Sequence, residues 1–215
     1  MMCGRFTLRT PAGDVAEEFA LPALLDLAPR YNIAPTQSIA AVRIGEGGQR
    51  ELSMLRWGLV PSWADDLAIG SRLINARAET VATKPAFRRA FAKRRCLIPA
   101  DGFYEWAKEE GGKQPYLFSV DRRPFALAGL WERWRDVESC TIITTTANEL
   151  MSRFHDRMPV ILPPDDYAAW IDPQFEDLDH LRSLLRHCPA DGMTARQVSR
   201  VVNNPRHDVP ECCGP

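Results

Sequence analysis

The residue with the most chemistry to offer lies close to the start of the chain. It is Cys3, in the run Met1-Met2-Cys3-Gly4-Arg5-Phe6. With Cys3 as its first residue, the chain would open on a 1,2-aminothiol whose amine and thiolate capture one aldehyde together. The amine condenses to an imine, the sulfur closes onto the imine carbon, and a five-membered thiazolidine forms. An internal cysteine cannot do this, because its nitrogen is held in a peptide bond. Reference pKa values of about 7.7–8.0 for the amine and about 8.5 for the thiol leave a working fraction of each nucleophile at neutral pH. Alone the signal is weak, since a cysteine near a terminus is ordinarily a bystander.

Other polar groups stand where plain core strands would carry apolar ones. Asn75, Arg77 and Glu79 alternate in Leu73-Ile74-Asn75-Ala76-Arg77-Ala78-Glu79-Thr80, so on an extended chain all three point the same way. Glu105 sits between Tyr104 and Trp106, where an apolar pocket would raise its pKa and suit it to proton transfer. His155 precedes an apolar strand and has charged neighbours, whereas His180, His187 and His207 fall in a helix or the tail. Lys84, Arg88, Arg89, Lys93, Arg94 and Arg95 form a stretch without an acid, and with Arg5, Arg72 and Arg77 they could line a phosphate-binding groove. Trp57 and Trp63 bracket a Gly/Pro loop and could stack against bases. Each feature also has an ordinary reading: a solvated strand face, an edge glutamate, a structural histidine, a solvated basic helix, buried tryptophans.

The elements that must position these groups belong to an ordinary globular chain. Its 215 residues are 45% hydrophobic and 26% charged, enough for one domain of generous size, here residues 1–215. The net charge of −1 excludes a global basic field, so a nucleic acid would have to meet a local patch. No apolar run has the length of a membrane span, and no signal-peptide pattern opens the chain. The six cysteines follow neither a disulfide nor a zinc spacing. These features predict a reduced, cytoplasmic protein with no metal and no cofactor.

Periodicity predicts helices over 11–19, 83–95, 164–170 and 175–187. Strands are predicted over 38–44 and 50–57, joined at Gly47-Gly48, then over 96–100, 103–106, 116–120, 125–131, 140–145 and 160–162, with further turns at Gly111-Gly112 and Arg123-Pro124. Strands dominate the middle and helices the flanks. The expected fold class is α+β: a single domain with a mixed, curved, barrel-like sheet flanked by helices.

Taken in order, several runs resemble one family over essentially the whole chain, the SOS-response-associated peptidases. The runs are Cys3-Gly4-Arg5, Tyr31-Asn32-Ile33-Ala34-Pro35-Thr36-Gln37, Trp57-Gly58-Leu59-Val60-Pro61-Ser62-Trp63 and Asn75-Ala76-Arg77-Ala78-Glu79-Thr80. They continue with Arg95-Cys96-Leu97-Ile98-Pro99, Gly102-Phe103-Tyr104-Glu105-Trp106, His155-Asp156-Arg157-Met158-Pro159 and Val201-Val202-Asn203. The resemblance implies a protein that crosslinks to abasic sites in single-stranded DNA, including sites at junctions with duplex, and that acts as a monomer associated with the nucleoid when bound. It implies Cys3 as amine and sulfur donor, Glu105 as proton carrier, His155 acting on the sugar oxygen, and Asn75 orienting the N-terminal backbone. It implies Arg5, Arg77 and Thr144 as phosphate contacts, joined by the basic residues Arg72, Lys84 and Arg88, with Trp57 and Pro35 shaping the bend of the DNA. An autoproteolytic step would free the cysteine. The family usually begins Met-Cys; the Met1-Met2-Cys3 start here requires either initiation at Met2 or removal of two residues.

Residue types leave two competing readings. A conventional cysteine peptidase would use Cys3 as thiolate, His155 as base and Asn75 as orienter, and would tolerate an N-terminal extension. A DNA-binding module without chemistry would use the basic helix and the loop tryptophans, leaving the Cys–Asn–Glu–His set unexplained.

Overall fold

The computed structural model describes residues 4–22, 26–121 and 124–215. Cys3 therefore lies outside the described residues, as does Arg123 of the predicted turn.

The chain opens with strand β1 (Phe6–Leu8), helix α1 (Ala12–Phe19) and strand β2 (Arg30–Ile33). Strands β3 (Ser38–Ile44) and β4 (Arg50–Trp57) form a hairpin with the predicted bounds, and Gly48 supplies the positive φ of +73° at its turn. After a 3₁₀ segment at Leu67–Arg72 come β5 (Asn75–Arg77), α2 (Arg88–Lys93), β6 (Arg95–Ala100) and β7 (Gly102–Glu109). β8 (Gly112–Val120), β9 (Phe125–Trp134) and β10 (Val137–Thr146) each outrun their predicted bounds; β8 pairs antiparallel with β7, and β10 with β9. The chain continues through β11 (Arg157–Pro159), β12 (Ile161–Leu162), α3 (Tyr167–Ile171), α4 (Leu178–Ser183) and β13 (Met193–Gln197). Two 3₁₀ turns, Arg200–Asn203 and Pro210–Cys213, complete it.

Two sheets result. Strands β10, β4, β3, β6 and β9 are joined in that order, and the β9–β10 pairing closes them into a barrel. The β10–β4 pairing is parallel and the others antiparallel, so the sheet is mixed, as its class predicted. The second sheet has the order β13-β8-β7-β1-β2. One apolar core joins them; the Phe6 ring meets the Trp57 ring edge-on at 5.3 Å.

Three predicted helices are shorter than expected, for local reasons. The 83–95 pattern begins as successive turns around Thr80 and Lys84, and its last residue already pairs with Leu130 in β6. Asp177 caps α4 by accepting from the amides of Asp179 and His180, so that helix starts three residues late and ends at Ser183. The 164–170 segment is a 3₁₀ turn at Pro164–Asp166 followed by α3. Among the described residues, no helix is long and apolar enough to cross a membrane.

Candidate active site and nucleic-acid interface

β7 outruns β1. Their register covers Phe6↔Phe103 and Thr7↔Gly102, with the amide of Tyr104 donating to Arg5 O at 2.9 Å. Beyond that point a cleft of about 770 Å³ follows the rest of β7. Arg5, Glu105, Trp106, His155 and Asn203 line it, and so do Lys108, Lys113 and Arg153. Three of the residues singled out in the sequence thus meet in one place: Arg5, Glu105 and His155.

Glu105 is buried on β7, opposite Tyr116. Arg5 is held in place by neutral partners, its Nη1 donating to Asn32 Oδ1 and to Val202 O, each at 2.7 Å. Its guanidinium also lies 5.7 Å from the centre of the Trp106 ring. Burial pulls the Arg5 pKa below the usual guanidinium value, with Tyr104 and Cys212 acting in the other direction. Asn32 is fully buried, and its amide group donates to the carbonyls of Val202, Asn204 and His207. The C-terminal tail therefore fixes Asn32, and Asn32 aims Arg5.

His155 closes the cleft from the other side, anchored by its amide donating to Met151 O. Its Nδ1 lies 2.6 Å from Asp156 Oδ1 and also accepts the Arg157 amide at 3.2 Å. One nitrogen cannot donate to the carboxylate and accept from the amide at once, so the tautomer decides between them. Both contacts fall on Nδ1, which leaves Nε2 without a protein partner among the described residues.

At the other end of β1, Asp101 secures the strand that follows Cys3. Its buried carboxylate accepts from the amides of Arg9 and Thr10, the hydroxyls of Thr7 and Thr10, and the Arg9 guanidinium. Burial pushes the Asp101 pKa up, but these hydrogen bonds and the Arg9 charge outweigh it and hold the carboxyl below its usual value.

The remaining candidates lie elsewhere. Asn75 does not line the cleft; it is half-buried on β5, with Nδ2 donating to Ile142 O at 3.5 Å. β10 connects the two regions, because Thr144 pairs with Arg77 of β5 on one side and Pro159 of β11 on the other. Arg72, Arg77, Lys84 and Arg88 are exposed along one continuous stretch of chain, separate from the cleft lining. Pro35 is half-buried in the turn that leads from β2 to β3.

Burial bears on three expectations. Thr144 has no exposed surface, and its hydroxyl lies 3.4 Å from Ala76 O. Trp57 is equally buried, with its indole N–H donating to Ile74 O, and cannot touch DNA; Trp63, 58% exposed, is the ring of that loop that faces solvent. Arg95 leaves the basic cluster altogether. It is buried, and donates to the carbonyls of Phe91, Ala92, Trp170, Asp172 and Phe175. In the same stretch Arg94 pairs with Glu132 and Lys93 with Glu176.

Two residues that shape the cleft, Asn203 on its lining and Asn32 behind Arg5, are not among the predicted site residues. Asn203 accepts the Trp106 indole N–H at 2.7 Å, and Asn32 positions Arg5. Both stand inside runs that carried the resemblance, but a polar amide in a loop has no pattern that announces its partner. A second cleft of about 590 Å³, mostly apolar, is bounded by Phe125, Leu162 and Tyr167 and holds none of the predicted residues.

Comparison with known proteins agrees with this architecture. The family model described as SOS response associated peptidase (SRAP) matches residues 2–205. The abasic site processing protein YoqW of Bacillus subtilis is 46% identical over 220 residues, covering 98% of each chain. The abasic site processing protein HMCES of Xenopus tropicalis is 31% identical, over 86% of this chain and 65% of its own. A crystal structure of a protein from Bacteroides thetaiotaomicron superposes with a TM-score of 0.86 at 26% identity, covering 98% of both chains. This chain belongs to the SOS response associated peptidase family.

Proposed function

We propose that this protein senses abasic sites in single-stranded DNA and shields them by covalent attachment through Cys3. The observation that carries the reading is the convergence of Arg5, Glu105 and His155 in one cleft beside β1, the strand that follows Cys3 in the chain. The similarity to abasic site processing proteins supports the substrate.

An abasic deoxyribose equilibrates between a closed ring and an open aldehyde. His155, through Nε2, gives a proton to the ring oxygen as the sugar opens and then holds the new hydroxyl. The Cys3 amine adds to the aldehyde carbon; Glu105 moves the protons that let the hydroxyl leave as water, giving the imine. The Cys3 thiolate then closes onto the imine carbon while the nitrogen takes a proton, and the thiazolidine is complete. Reversal runs along the same path. Arg5 binds the adjoining phosphate, Asn75 orients the N-terminal backbone, and the exposed tract Arg72, Arg77, Lys84, Arg88 follows the strand. Pro35 and the loop that carries exposed Trp63 shape the DNA.

The amine must be free, so Met1 and Met2 have to be absent from the active form. Self-cleavage would use the Cys3 sulfur on the Met2 carbonyl. The setting for this chemistry is the cytoplasm.

Intact-mass spectrometry with an abasic single-stranded oligonucleotide tests the reading. The expected product is protein plus oligonucleotide less one water, formed only by chains that begin at Cys3. Cys3→Ala should give none, and Cys3→Ser only a reducible Schiff base. Glu105→Gln and His155→Ala should slow formation by about 10²-fold or less. A full-strength crosslink from a chain that keeps Met2 would refute the aminothiol mechanism and leave the cysteine peptidase reading standing.

A further inference from the structure

The rim of the cleft contains an arrangement that the fold does not need. Lys108 and Lys113 stand directly opposite each other in the β7–β8 hairpin, in register between Ala107↔Gln114 and Glu109↔Gly112. Directly opposed residues on antiparallel strands project from the same face, and like charges in that position destabilise the pairing. Both lysines are exposed, both line the cleft that contains Glu105 and His155, and Arg153 lines it from the 3₁₀ turn before His155. None of the three has an acidic partner among the described residues. The nearby Glu109 is engaged elsewhere, accepting from Tyr116 Oη and Gln197 Nε2. Three unneutralised cations on one mouth, two of them forced together, have the chemistry of an anion site.

We propose that Lys108, Lys113 and Arg153 form a phosphate-binding rim for single-stranded DNA. It holds the backbone on one side of the lesion, while the exposed tract from Arg72 to Arg88 holds the other. The inference rests on the function proposed above and adds a second, separate backbone contact to it. The strand's phosphates relieve the lysine–lysine repulsion, so part of the binding energy comes from a tension built into the unbound hairpin. The rim carries no base information; it sets how much backbone the protein covers and on which side of the lesion.

The test uses the full chain and an oligonucleotide with a tetrahydrofuran in place of the abasic sugar. That analogue has no aldehyde, so binding is read without crosslinking. Replacing both lysines (Lys108→Ala with Lys113→Ala) should weaken binding and reduce the slope of log affinity against log salt by about 0.7 for each phosphate no longer neutralised. Neutral methylphosphonate linkages on one side of the lesion should weaken wild-type binding and weaken that of the double variant, which keeps only Arg153 of the rim, by less. On the other side they should weaken both alike. Lys113→Glu should bind worse yet melt higher, because it replaces a repulsion with an attraction across the hairpin. Equal affinity and equal salt slope for wild type and the double variant would overturn the rim. If wild type neither binds the analogue nor crosslinks a true abasic site, the function itself falls, and the two failures are distinguishable.

Discussion

In the closed barrel, β6 and β9 are buried along nearly their whole length, from Cys96 to Ala100 and from Phe125 to Leu130. In the five-stranded sheet, β7 begins equally buried at Gly102 and ends in exposed Lys108 and Glu109. Polar groups inside the barrel wall serve the fold: Arg95 spends its donors on backbone carbonyls, and Ser139 Oγ accepts the Val60 amide. On the second sheet Glu105, Lys108 and Lys113 line a cleft instead. The difference extends to sulfur. Burial pushes the Cys96 thiol up to about 12 and Cys140 well above its usual value, so neither is a nucleophile at neutral pH. Cys188 is pushed up to about 11 in the same way. A reactive cysteine in this molecule has to come from outside the barrel.

The largest effect should come from the barrel side. Arg95→Met takes a donor from five carbonyls, of which Asp172 O keeps the Phe175 amide, at about 1–3 kcal/mol for each left bare and dry. Stability should fall by about 3 kcal/mol or more, a drop in Tm of roughly 6–12 °C for a chain of this size. The crosslinking rate of the molecules that remain folded should not change. An unchanged melting curve would show that the guanidinium is not holding α2 and α3 to the barrel.

Asp101 stands where the chain passes from β6 of the barrel to β7 of the second sheet. Asp101→Asn keeps the shape but removes the charge and part of the accepting capacity, and should cost about 1–3 kcal/mol. Because the folded pKa is depressed, the stabilisation is fully present above the ordinary value of 3.8 and is lost as pH falls through the lower folded value. Wild type and variant should therefore converge in stability below about pH 4. A gap that stays constant down to acid pH would mean the carboxylate charge contributes nothing to fixing β1.

The same division explains what could be read in advance. β3 and β4 have their predicted bounds because alternating side chains and a Gly-Gly turn are local signals. β1, β2 and β13 went unpredicted: three to five residues each, they take their partners from distant parts of the chain. The site follows suit. Glu105 and His155 stood out by residue type, and the resemblance joined them to Cys3. The Arg5–Asn32–Val202 relay spans 197 positions in sequence, which no periodicity encodes. Arg95 misled for the opposite reason, since its neighbours in sequence are surface cations and its neighbours in space are helix ends.

The smallest effect lies at the other crossing, where β2 turns into β3. The turn closes with the Gln37 amide donating to Ala34 O at 3.3 Å, Pro35 at its second position and Thr36 at its third with φ of +72°. That third position favours glycine, and a β-branched residue there is strained by roughly 1–3 kcal/mol. The turn is bound to the barrel by the Thr36 amide donating to Trp57 O and the Trp57 amide donating to Gln37 O. Thr36→Gly should relieve the strain and, against the extra chain entropy of glycine, raise stability by about 0.5–1 kcal/mol. It should also loosen β2, whose Asn32 aims Arg5, and so slow crosslinking. Higher melting with slower trapping would show that the joint is kept taut for the cleft. Higher melting with an unchanged rate would assign the strain to the fold alone and detach this turn from the site.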